Sequence, residues 1–444
     1  MDVSVRNNKA IGIITWLSRF LFGATFVFSG FVKSIDPWGT LYKVNDYLAV
    51  LGLDLWPNLR ITAVFALCAV EFFVGVMILT GCFRRSAPVL GVVIMAFMLP
   101  FSLWIAMTDP VADCGCFGDA FVISNWATFW KNVVLTILAV WLCRYNRSCR
   151  CLVTPALQWI AFVVTAVFIV AIELFGYVSQ PLLDFRAYKE GSHLVEEGSP
   201  DDEEPSFVFI YEKDGERREI GENDELPDES DGWKFVERKE IGDAAKKEET
   251  AGMGEYKSFR IWSRDGDEDV TEEVMAPEGR QLLVMIPDLS DTSISNSWKL
   301  NSMSSWASRN DIDMIAVVAG SKKEIDEWED LSMISYPVYT ADDTAIKEVV
   351  RGNPGVVYIR DGIIEWKSTL RALNVDDFMA PETSADPMSF RRDNRMILRN
   401  VSCLYLSIMA VLMVLSLLPS LSNMYWRRRD KEGKAETLPE DSKD

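Results

Sequence analysis

The stretch Ile61–Thr80, ITAVFALCAVEFFVGVMILT, is twenty residues long and contains one charged side chain, that of Glu71. A helix of this length rises about 30 Å, which is the thickness of the hydrocarbon core of a bilayer. Five more apolar stretches have the same character: Ile11–Val32, Ala87–Met107, Phe129–Cys143, Pro155–Val178 and Ile397–Leu418. The sequence therefore predicts an α-helical membrane bundle with six spans. Trp126 and Ala127 extend the fourth span, and the first is an uncleaved anchor because no small-residue cleavage site follows it.

Charge is unevenly distributed along the 444-residue chain, whose formal net charge is −20. Residues 180–395 contain 26 basic and 50 acidic side chains, a balance of −24, which leaves the remaining residues at +4. An acidic total without a basic patch argues against nucleic acid as a partner, since phosphate binding needs a basic surface. The partner that the apolar part predicts is the lipid bilayer.

The chain contains one histidine, His193, and eight cysteines. Haem, zinc and Ser-His-Asp sites usually take at least one histidine, and no glycine-rich phosphate loop is present in the sequence. Cysteine and carboxylate side chains therefore remain as the candidates for chemistry.

Lysine and arginine residues in the short loops predict the orientation of the spans. Basic clusters precede span one and follow spans two, four and six; they are Arg6 with Lys9, Arg84 with Arg85, Arg144 with Arg147 and Arg150, and Arg427–Arg429. The loop Asp109–Asn125 contains no basic residue, although the first outer loop, Lys33–Arg60, contains three. The four agreeing clusters predict that both termini are cytoplasmic and that residues 180–395 lie on the outer side.

Between spans five and six, residues 181–255 are predicted to form an acidic linker and a small β unit. The acidic run Glu196–Glu204 has little to bury in a core. An Asp-Gly pair between two strand-like runs is a hairpin signal. The predicted strands are Phe207–Tyr211, Arg217–Ile220 and Trp233–Val236, with Lys213-Asp214-Gly215 turning the chain between the first two.

Residues 256–390 alternate between strand-like and helical runs. The predicted strands are Ser258–Trp262, Leu282–Ile286, Met314–Val318, Gly355–Ile359 and Ile363–Lys367, and the predicted helices are Ile294–Arg309, Lys322–Leu331 and Asp343–Val350. This order resembles the thioredoxin fold, which implies a cis peptide bond before Pro354, beside the position of the active site. Thioredoxins carry a Cys-x-x-Cys pair after the first central strand, whereas no cysteine lies between Cys151 and Cys403. The resemblance therefore implies a thioredoxin-like domain that lacks this motif and binds or docks a partner.

The remaining boundaries follow from these assignments. We predict a four-helix membrane bundle over residues 1–145, a fifth transmembrane helix over 146–180, and a sixth with its cytoplasmic tail over 391–444.

The sharpest motif is DCGCFGD at residues 113–119, in the loop that faces outward. Cys114 and Cys116 are separated only by Gly115, whose missing Cβ lets a very small disulfide ring close. A strained disulfide is easier to reduce than an unstrained one, which favours a role in thiol–disulfide exchange over a structural crosslink. Gly118 supplies a second flexible turn.

Three interpretations of this motif stay open: redox exchange, a static disulfide, or two buried free thiols. The flanking aspartates, Asp113 and Asp119, are expected to raise the thiol pKa by like-charge repulsion. No metal is expected, because two local ligands fall short of the four that tetrahedral structural sites use.

Further candidates lie within or beside the spans. Cys149-Arg150-Cys151 forms a second Cys-x-Cys on the cytoplasmic side, and with Cys68, Cys82 and Cys143 it could relay electrons or consist of ordinary small apolar side chains. Charged residues within spans need partners. We expect Arg19 to pair with Glu71, either to fix helix register or to line a polar cavity for a quinone or proton. Lys33 lies at the outer end of span one, directly after its last apolar residue.

The first 145 residues resemble the DoxX/MauE-like membrane proteins. The matching stretches are Arg19-Phe20-Leu21-Phe22-Gly23, Phe28-Ser29-Gly30-Phe31-Val32-Lys33, Glu71-Phe72-Phe73-Val74-Gly75, Leu79-Thr80-Gly81 and Arg84, together with the MauE-like Cys-Gly-Cys-Phe-Gly at Cys114–Gly118. Asp184-Phe185-Arg186 with Tyr188, Lys189 and Gly191 is similar to the junction in DoxX-like proteins that carry a degenerate thioredoxin-like extension.

The resemblance implies a bacterial inner-membrane protein with spans one to four as a four-helix bundle and residues 180–395 in the periplasm. MauE-like members are linked to disulfide formation in an exported partner, and DoxD-like members to quinone-coupled oxidation of thiosulfate. The thiol role carries over to Cys114 and Cys116, whereas the cofactor stays open, with a membrane quinone as the candidate. No motif in this chain supports thiosulfate as the substrate.

Three functions are compatible with these features. The first is a thiol–disulfide oxidoreductase that acts on an exported client through Cys114 and Cys116. The second is a non-enzymatic scaffold for a periplasmic or envelope partner, and the third a transporter, although no inverted repeat is evident. The supporting residues are Gly115, Phe117, Gly118, Arg19, Glu71, Lys33, Arg84 and Pro354.

Overall fold

The protein divides into a helical unit, Met1–Phe185 with Arg392–Asp444, and an α/β unit, Arg186–Arg391. The computed structural model describes residues 3–111, 114–146, 151–195, 206–213, 216–221, 234–241, 259–275, 278–290, 292–374, 376–379 and 386–435. The predicted linker run Glu196–Glu204 and the turn residues Asp214 and Gly215 lie outside these ranges.

Long apolar helices build the first unit. They are α1 (Val3–Ile35), α2 (Pro37–Val50), α3 (Pro57–Thr80), α4 (Ser86–Thr108), α5 (Asn125–Tyr145), α6 (Gln158–Val178) and a C-terminal helix (Asn394–Ala435). Within the described part of the chain, six segments are long and apolar enough to cross a membrane: Ala10–Ile35, Pro57–Thr80, Ser86–Thr108, Asn125–Tyr145, Gln158–Val178 and Pro387–Leu418. The prediction of six candidate spans in a multi-pass membrane protein is confirmed, as is the extension of the fourth span.

Helix α2 was not predicted, because fourteen residues are too few to span a bilayer and the segment carries polar side chains. Its start is nevertheless encoded locally. Pro37 occupies the first turn, where a missing amide hydrogen costs nothing, and the Asp36 side chain accepts from the Gly39 amide at 2.9 Å.

Glycines bring α1 and α3 into close contact. A Cβ placed on Gly30 would lie 2.3 Å from the backbone nitrogen of Phe72, and one on Gly75 would lie 2.6 Å from that of Val27. Small residues allow such approach between apolar helices, whose association in lipid depends on close packing. This contact places Ser29 of α1 against the middle of α3.

The described residues of the second unit form two sheets. One is antiparallel, with order β2-β1-β3, and the other is mixed, with order β6-β5-β4-β7-β8. The strands are β1 (Ser206–Lys213), β2 (Glu216–Gly221), β3 (Lys234–Ile241), β4 (Arg280–Ile286), β5 (Asp313–Val318), β6 (Val338–Thr340), β7 (Gly355–Arg360) and β8 (Ile363–Thr369). The helices are α7 (Thr271–Val274), α8 (Ser297–Arg309), α9 (Lys322–Ser332), α10 (Asp343–Val349) and α11 (Asp376–Met379).

Apolar residues on both faces of the mixed sheet are buried, as its continuous apolar strands predicted. The antiparallel pairing of β1 with β2 confirms the predicted hairpin, and the Asn353–Pro354 bond is cis. A strand at Ser258–Trp262 was predicted, but the described part of this segment makes only isolated bridges at Trp262, to Asp269 and Thr340. Strand β6 was not predicted, because three residues are too few to show the alternation of apolar and polar side chains that indicates a strand.

Candidate functional site

A short loop carries the two neighbouring cysteines between α4 and α5. We call Cys114–Phe121 the sulfur loop. The helix ends on either side of this loop are tied together, because Asn125 Nδ2 at the start of α5 donates to Asp109 Oδ1 at the end of α4, at 2.6 Å. Gly115 and Gly118 have φ angles of +64° and +53°, in the left-handed region that favours glycine. The two residues before the loop, Ala112 and Asp113, lie outside the described part of the chain.

The two sulfurs are adjacent. Cys114 Sγ and Cys116 Sγ are 3.2 Å apart, and both residues are free thiols. Two hydroxyl groups hold their main chain: Tyr47 Oη of α2 donates to the Cys114 carbonyl at 3.0 Å, and Ser29 Oγ lies 2.7 Å from the Cys116 carbonyl. Cys114 is half-buried, whereas only 6% of Cys116 is exposed. The sulfurs are therefore placed together but are unequally accessible.

The electrostatic surroundings also differ between the sulfurs. A hydrogen bond from Cys114, aided by the charges of Lys131 and Lys33, lowers the pKa of Cys116 to about 6, against the effect of burial. The same hydrogen bond, together with burial, raises the pKa of the Cys114 thiol above its usual range. Lys131 Nζ lies 4.2 Å from the centre of the Phe117 ring, a cation–π distance. These surroundings therefore favour the thiolate form at Cys116 over the thiolate form at Cys114.

The expectation that flanking aspartates raise the thiol pKa is wrong for Cys116. The sequence places Asp119 close by, but the fold brings ammonium groups from α1 and α5 to the loop, and these act in the opposite direction. The hydrogen bond with Cys114 is the largest cause of the lowered Cys116 pKa, and these ammonium groups add to it.

Glu71 binds Lys33 rather than Arg19. Lys33 Nζ donates to both carboxylate oxygens at 2.9 Å, and Ser29 Oγ lies 2.8 Å from Glu71 Oε2. The side chains of Lys33 and Glu71 are each 4% exposed, so the ion pair is buried. The predicted Arg19–Glu71 pair is therefore wrong, although the need of Glu71 for a basic partner was anticipated correctly.

Arg19 and Arg84 lie at the other end of α3. Arg19 donates from Nε to the Ile78 carbonyl and from Nη2 to the Leu79 carbonyl, each at 3.1 Å, where the helix leaves carbonyls without intrahelical donors. Arg84 lies in the turn before α4, whose 23 residues span about 34 Å. The structure brings Lys33, Glu71, Phe117 and the two cysteines together but leaves both arginines away from them.

A cavity adjoins the sulfur loop inside the helical unit. Its volume is about 340 Å³ including its open mouth. Helices α1, α3, α4 and α5 line it, and its polar lining residues include Ser29, Glu71, Cys116, Lys131 and Asn132. Glu71 of the buried ion pair and Cys116 therefore line the same partly polar cavity.

Two other groups of cysteines are separated from each other along α3, and one of them, Cys68, lies one helical turn from Glu71. Cys151 Sγ is 3.2 Å from the Gly81 carbonyl, close to the buried Cys82, whereas Cys68 is in the middle of α3. The twelve residues from Cys68 to the end of α3 rise about 18 Å. A direct sulfur-to-sulfur relay cannot bridge that distance, and Cys149 lies outside the described residues.

Three residues of the site or its surroundings were missed by sequence reasoning. Lys131 and Glu173 are charged side chains within predicted spans, which is a usable signal for a functional or paired group. Glu173 is 1% exposed and accepts from Ser34 Oγ at 3.0 Å. The position of Ser29 gave no such signal, because serine is common in apolar helices and its role depends on the α1–α3 contact.

Comparison with known proteins finds a family similarity within the helical unit. Residues 11–145 match the family described as methylamine utilisation protein MauE. This MauE-like segment contains the first four candidate spans and the whole sulfur loop. Residues 205–241 match a domain of unknown function, DUF8463, which coincides with the β1–β3 sheet. No curated protein matches the chain.

Proposed function

We propose that this MauE-like protein is a membrane thiol–disulfide oxidoreductase in which Cys114 and Cys116 exchange a disulfide with an exported client. The observation that carries the proposal is the 3.2 Å separation of the two sulfurs in a loop next to ammonium groups. A thiolate is the reactive form of cysteine, and a cationic environment stabilises it. Neither feature is needed for two inert thiols.

The proposal includes a location and an electron acceptor. The basic clusters favour cytoplasmic termini and a sulfur loop on the periplasmic side of a bacterial inner membrane, where disulfides persist. When it oxidises a client, the pair receives two electrons, which it must then pass to an acceptor. A membrane quinone is the class we propose, because it is a two-electron acceptor that is soluble in the bilayer surrounding the helical unit.

The α/β unit fits a docking role. Its mixed sheet and its cis Pro354 support the thioredoxin-like assignment, and the segment after β4, Pro287–Ser293, contains no cysteine. We propose that residues 256–390 form a thioredoxin-like domain that positions the client while the sulfur loop performs the exchange.

Thiol trapping of the full chain tests the proposed exchange. Membranes poised with glutathione and glutathione disulfide are quenched with acid and labelled with a maleimide that adds mass. We expect Cys114 and Cys116 to convert together from two labelled thiols to none as the mixture becomes more oxidising. Cys114→Ser and Cys116→Ser should each abolish this paired change. A pair that stays oxidised in strong reductant, or stays reduced in strong oxidant, contradicts the proposal.

A scaffold is the second candidate. The α/β unit is connected at both ends to candidate spans and contains no cysteine, which suits a fixed docking station. Crosslinking in membranes distinguishes the two functions. A scaffold should capture the same partner after Cys114→Ser as before, whereas the oxidoreductase should lose client disulfides even when capture persists.

A further inference from the structure

The two sulfurs of the pair occupy unequal positions. Cys114 is half-buried and reachable, whereas 6% of Cys116 is exposed and its side chain lines the cavity inside the helical unit. Exchange proceeds by attack of a thiolate on one sulfur while the other sulfur leaves. Access alone favours attack on Cys114, and the leaving sulfur would then be Cys116.

Lys131 is placed to stabilise that leaving sulfur. It lies on α5, six residues after the helix begins, and lines the same cavity as Cys116 and Phe117. Its ammonium lies 4.2 Å from the centre of the Phe117 ring, a cation–π contact. Because Phe117 directly follows Cys116, this contact holds the end of the flexible lysine side chain near Cys116. Among the described residues no carboxylate forms an ion pair with Lys131, so its charge is available to a thiolate.

The other charged groups around the sulfur loop are engaged differently. Lys33 of α1 contributes to the potential at Cys116, but its ammonium is bound by both oxygens of Glu71 from α3. Glu71 itself acts against a thiolate at Cys116. Lys43 of α2 packs its stem over Gly115, where an added Cβ would lie 2.8 Å from Lys43 Cδ. Lys131 is therefore the cation best placed to stabilise a negative charge on Cys116.

We propose that Lys131 is a positioning residue that fixes the direction of exchange, holding Cys116 as the departing thiolate so that the client attacks Cys114. The inference rests on the proposed thiol–disulfide function and deepens it. A client thiolate forms a bond to Cys114 Sγ, the Cys114–Cys116 bond breaks, and its electron pair goes to Cys116 Sγ. The second client thiolate then attacks the client sulfur of the mixed disulfide. Cys114 departs with the electron pair and takes up a proton released by the client, whose two thiols have become a disulfide.

Glutathione is the probe for this test, and the full-length protein is used in detergent. The oxidised protein reacts briefly with glutathione, is quenched with acid, and the mixed disulfide is located by peptide mass spectrometry. We expect the adduct on Cys114 in the wild type. Lys131→Met should slow adduct formation by about tenfold and move a substantial share of the adduct to Cys116, because a less stabilised thiolate leaves more slowly.

Matched variants separate charge from packing. Lys131→Arg keeps the positive charge and should retain both the rate and the Cys114 adduct, and Lys131→Gln should behave like Lys131→Met. Arg60→Gln removes a basic side chain that donates to Asn45 Oδ1 away from the sulfurs, and it should change neither readout. Equal rates and adduct positions in the wild type, Lys131→Met and Lys131→Gln overturn the inference while leaving the exchange function standing. A wild type that forms no adduct overturns the exchange function itself.

Discussion

At the scale of single residues, the buried ion pair between Lys33 and Glu71 links α1 to α3 inside the helical unit. A charged side chain within an apolar span indicates that it has a partner of opposite charge. For Glu71, α1 contains two basic candidates, Arg19 and Lys33. Choosing between them needs the axial offset between α1 and α3. Hydropathy gives the ends of a span but not its offset, which is set by the close approach of Gly30 to Phe72.

Removing one partner of this pair should destabilise the helical unit. Lys33→Met leaves the Glu71 charge buried without its ion pair, which we expect to lower the free energy of unfolding by about 3–5 kcal/mol. The double variant Lys33→Met/Glu71→Gln should recover most of that loss, since no charge is then stranded. Denaturant unfolding in detergent, followed by circular dichroism, measures both. Equal stability of the single and double variants would contradict this assignment.

The alkylation rate of Cys116 should change with pH at lower pH than for an ordinary thiol. Its pKa of about 6 lies below the ordinary value of about 8.5, so the thiolate predominates at pH 7 and is lost as the pH falls through about 6. In the reduced protein we expect the rate of Cys116 alkylation by iodoacetamide to change little between pH 7 and 9 and to decrease below pH 6. Peptide mass spectrometry measures the rate at each cysteine.

Cys82 provides the comparison within the same samples. Burial raises the pKa of its thiol, and 1% of the residue is exposed, so it should remain unmodified over this range. A Cys116 rate that keeps rising tenfold per pH unit up to pH 8 would show an ordinary thiol at this position.

At the scale of helices and strands, length and apolar content predict the long elements well because both are properties of one contiguous stretch. The spans and the strands of the mixed sheet are of this kind. Short elements depend on neighbours instead. Helix α2 and strand β6 are held by contacts that no single stretch reveals, such as the hydrogen bond from Tyr47 of α2 to the sulfur loop and the pairing of Val338 with Ala316.

The crossing of α1 and α3 should be sensitive to one methyl group. Gly30→Ala places a Cβ 2.3 Å from the Phe72 backbone nitrogen, so the helices must separate, and we expect a loss of about 1–3 kcal/mol in unfolding free energy. Gly12→Ala lies on the same helix with nothing within 4 Å of the added atom, so it controls for helix propensity. Thermal unfolding in detergent compares the two, and a similar midpoint for both variants would contradict the close packing.

At the scale of the whole molecule, the sequence already separates an apolar part from an acidic part. The separation between the helical unit and the α/β unit follows that division of charge. The candidate site was harder to anticipate, because its charges come from α1, α3 and α5, which are far apart in the chain. The cysteine pair was visible in the sequence, whereas Lys131 was recognisable only as a charge within a span.

The proposed orientation makes a direct prediction about access. With both termini in the cytoplasm, a membrane-impermeant maleimide applied to mildly reduced spheroplasts should label Cys114 and leave Cys151 unlabelled, because the sulfur loop faces outward and the loop of Cys151 faces the cytoplasm. Permeabilised cells provide the positive control for Cys151. Labelling of Cys151 but not Cys114 in intact spheroplasts would reverse the orientation and remove the oxidising compartment on which the proposed exchange depends.

The hydroxyl groups of Tyr47 and Ser29 contact the carbonyls of the cysteines and leave the sulfurs themselves free of that restraint. The main chain at both cysteines is therefore held through groups that take no part in the sulfur–sulfur bond. Opening or closing that bond should then need little movement of the helices that carry these hydroxyl groups.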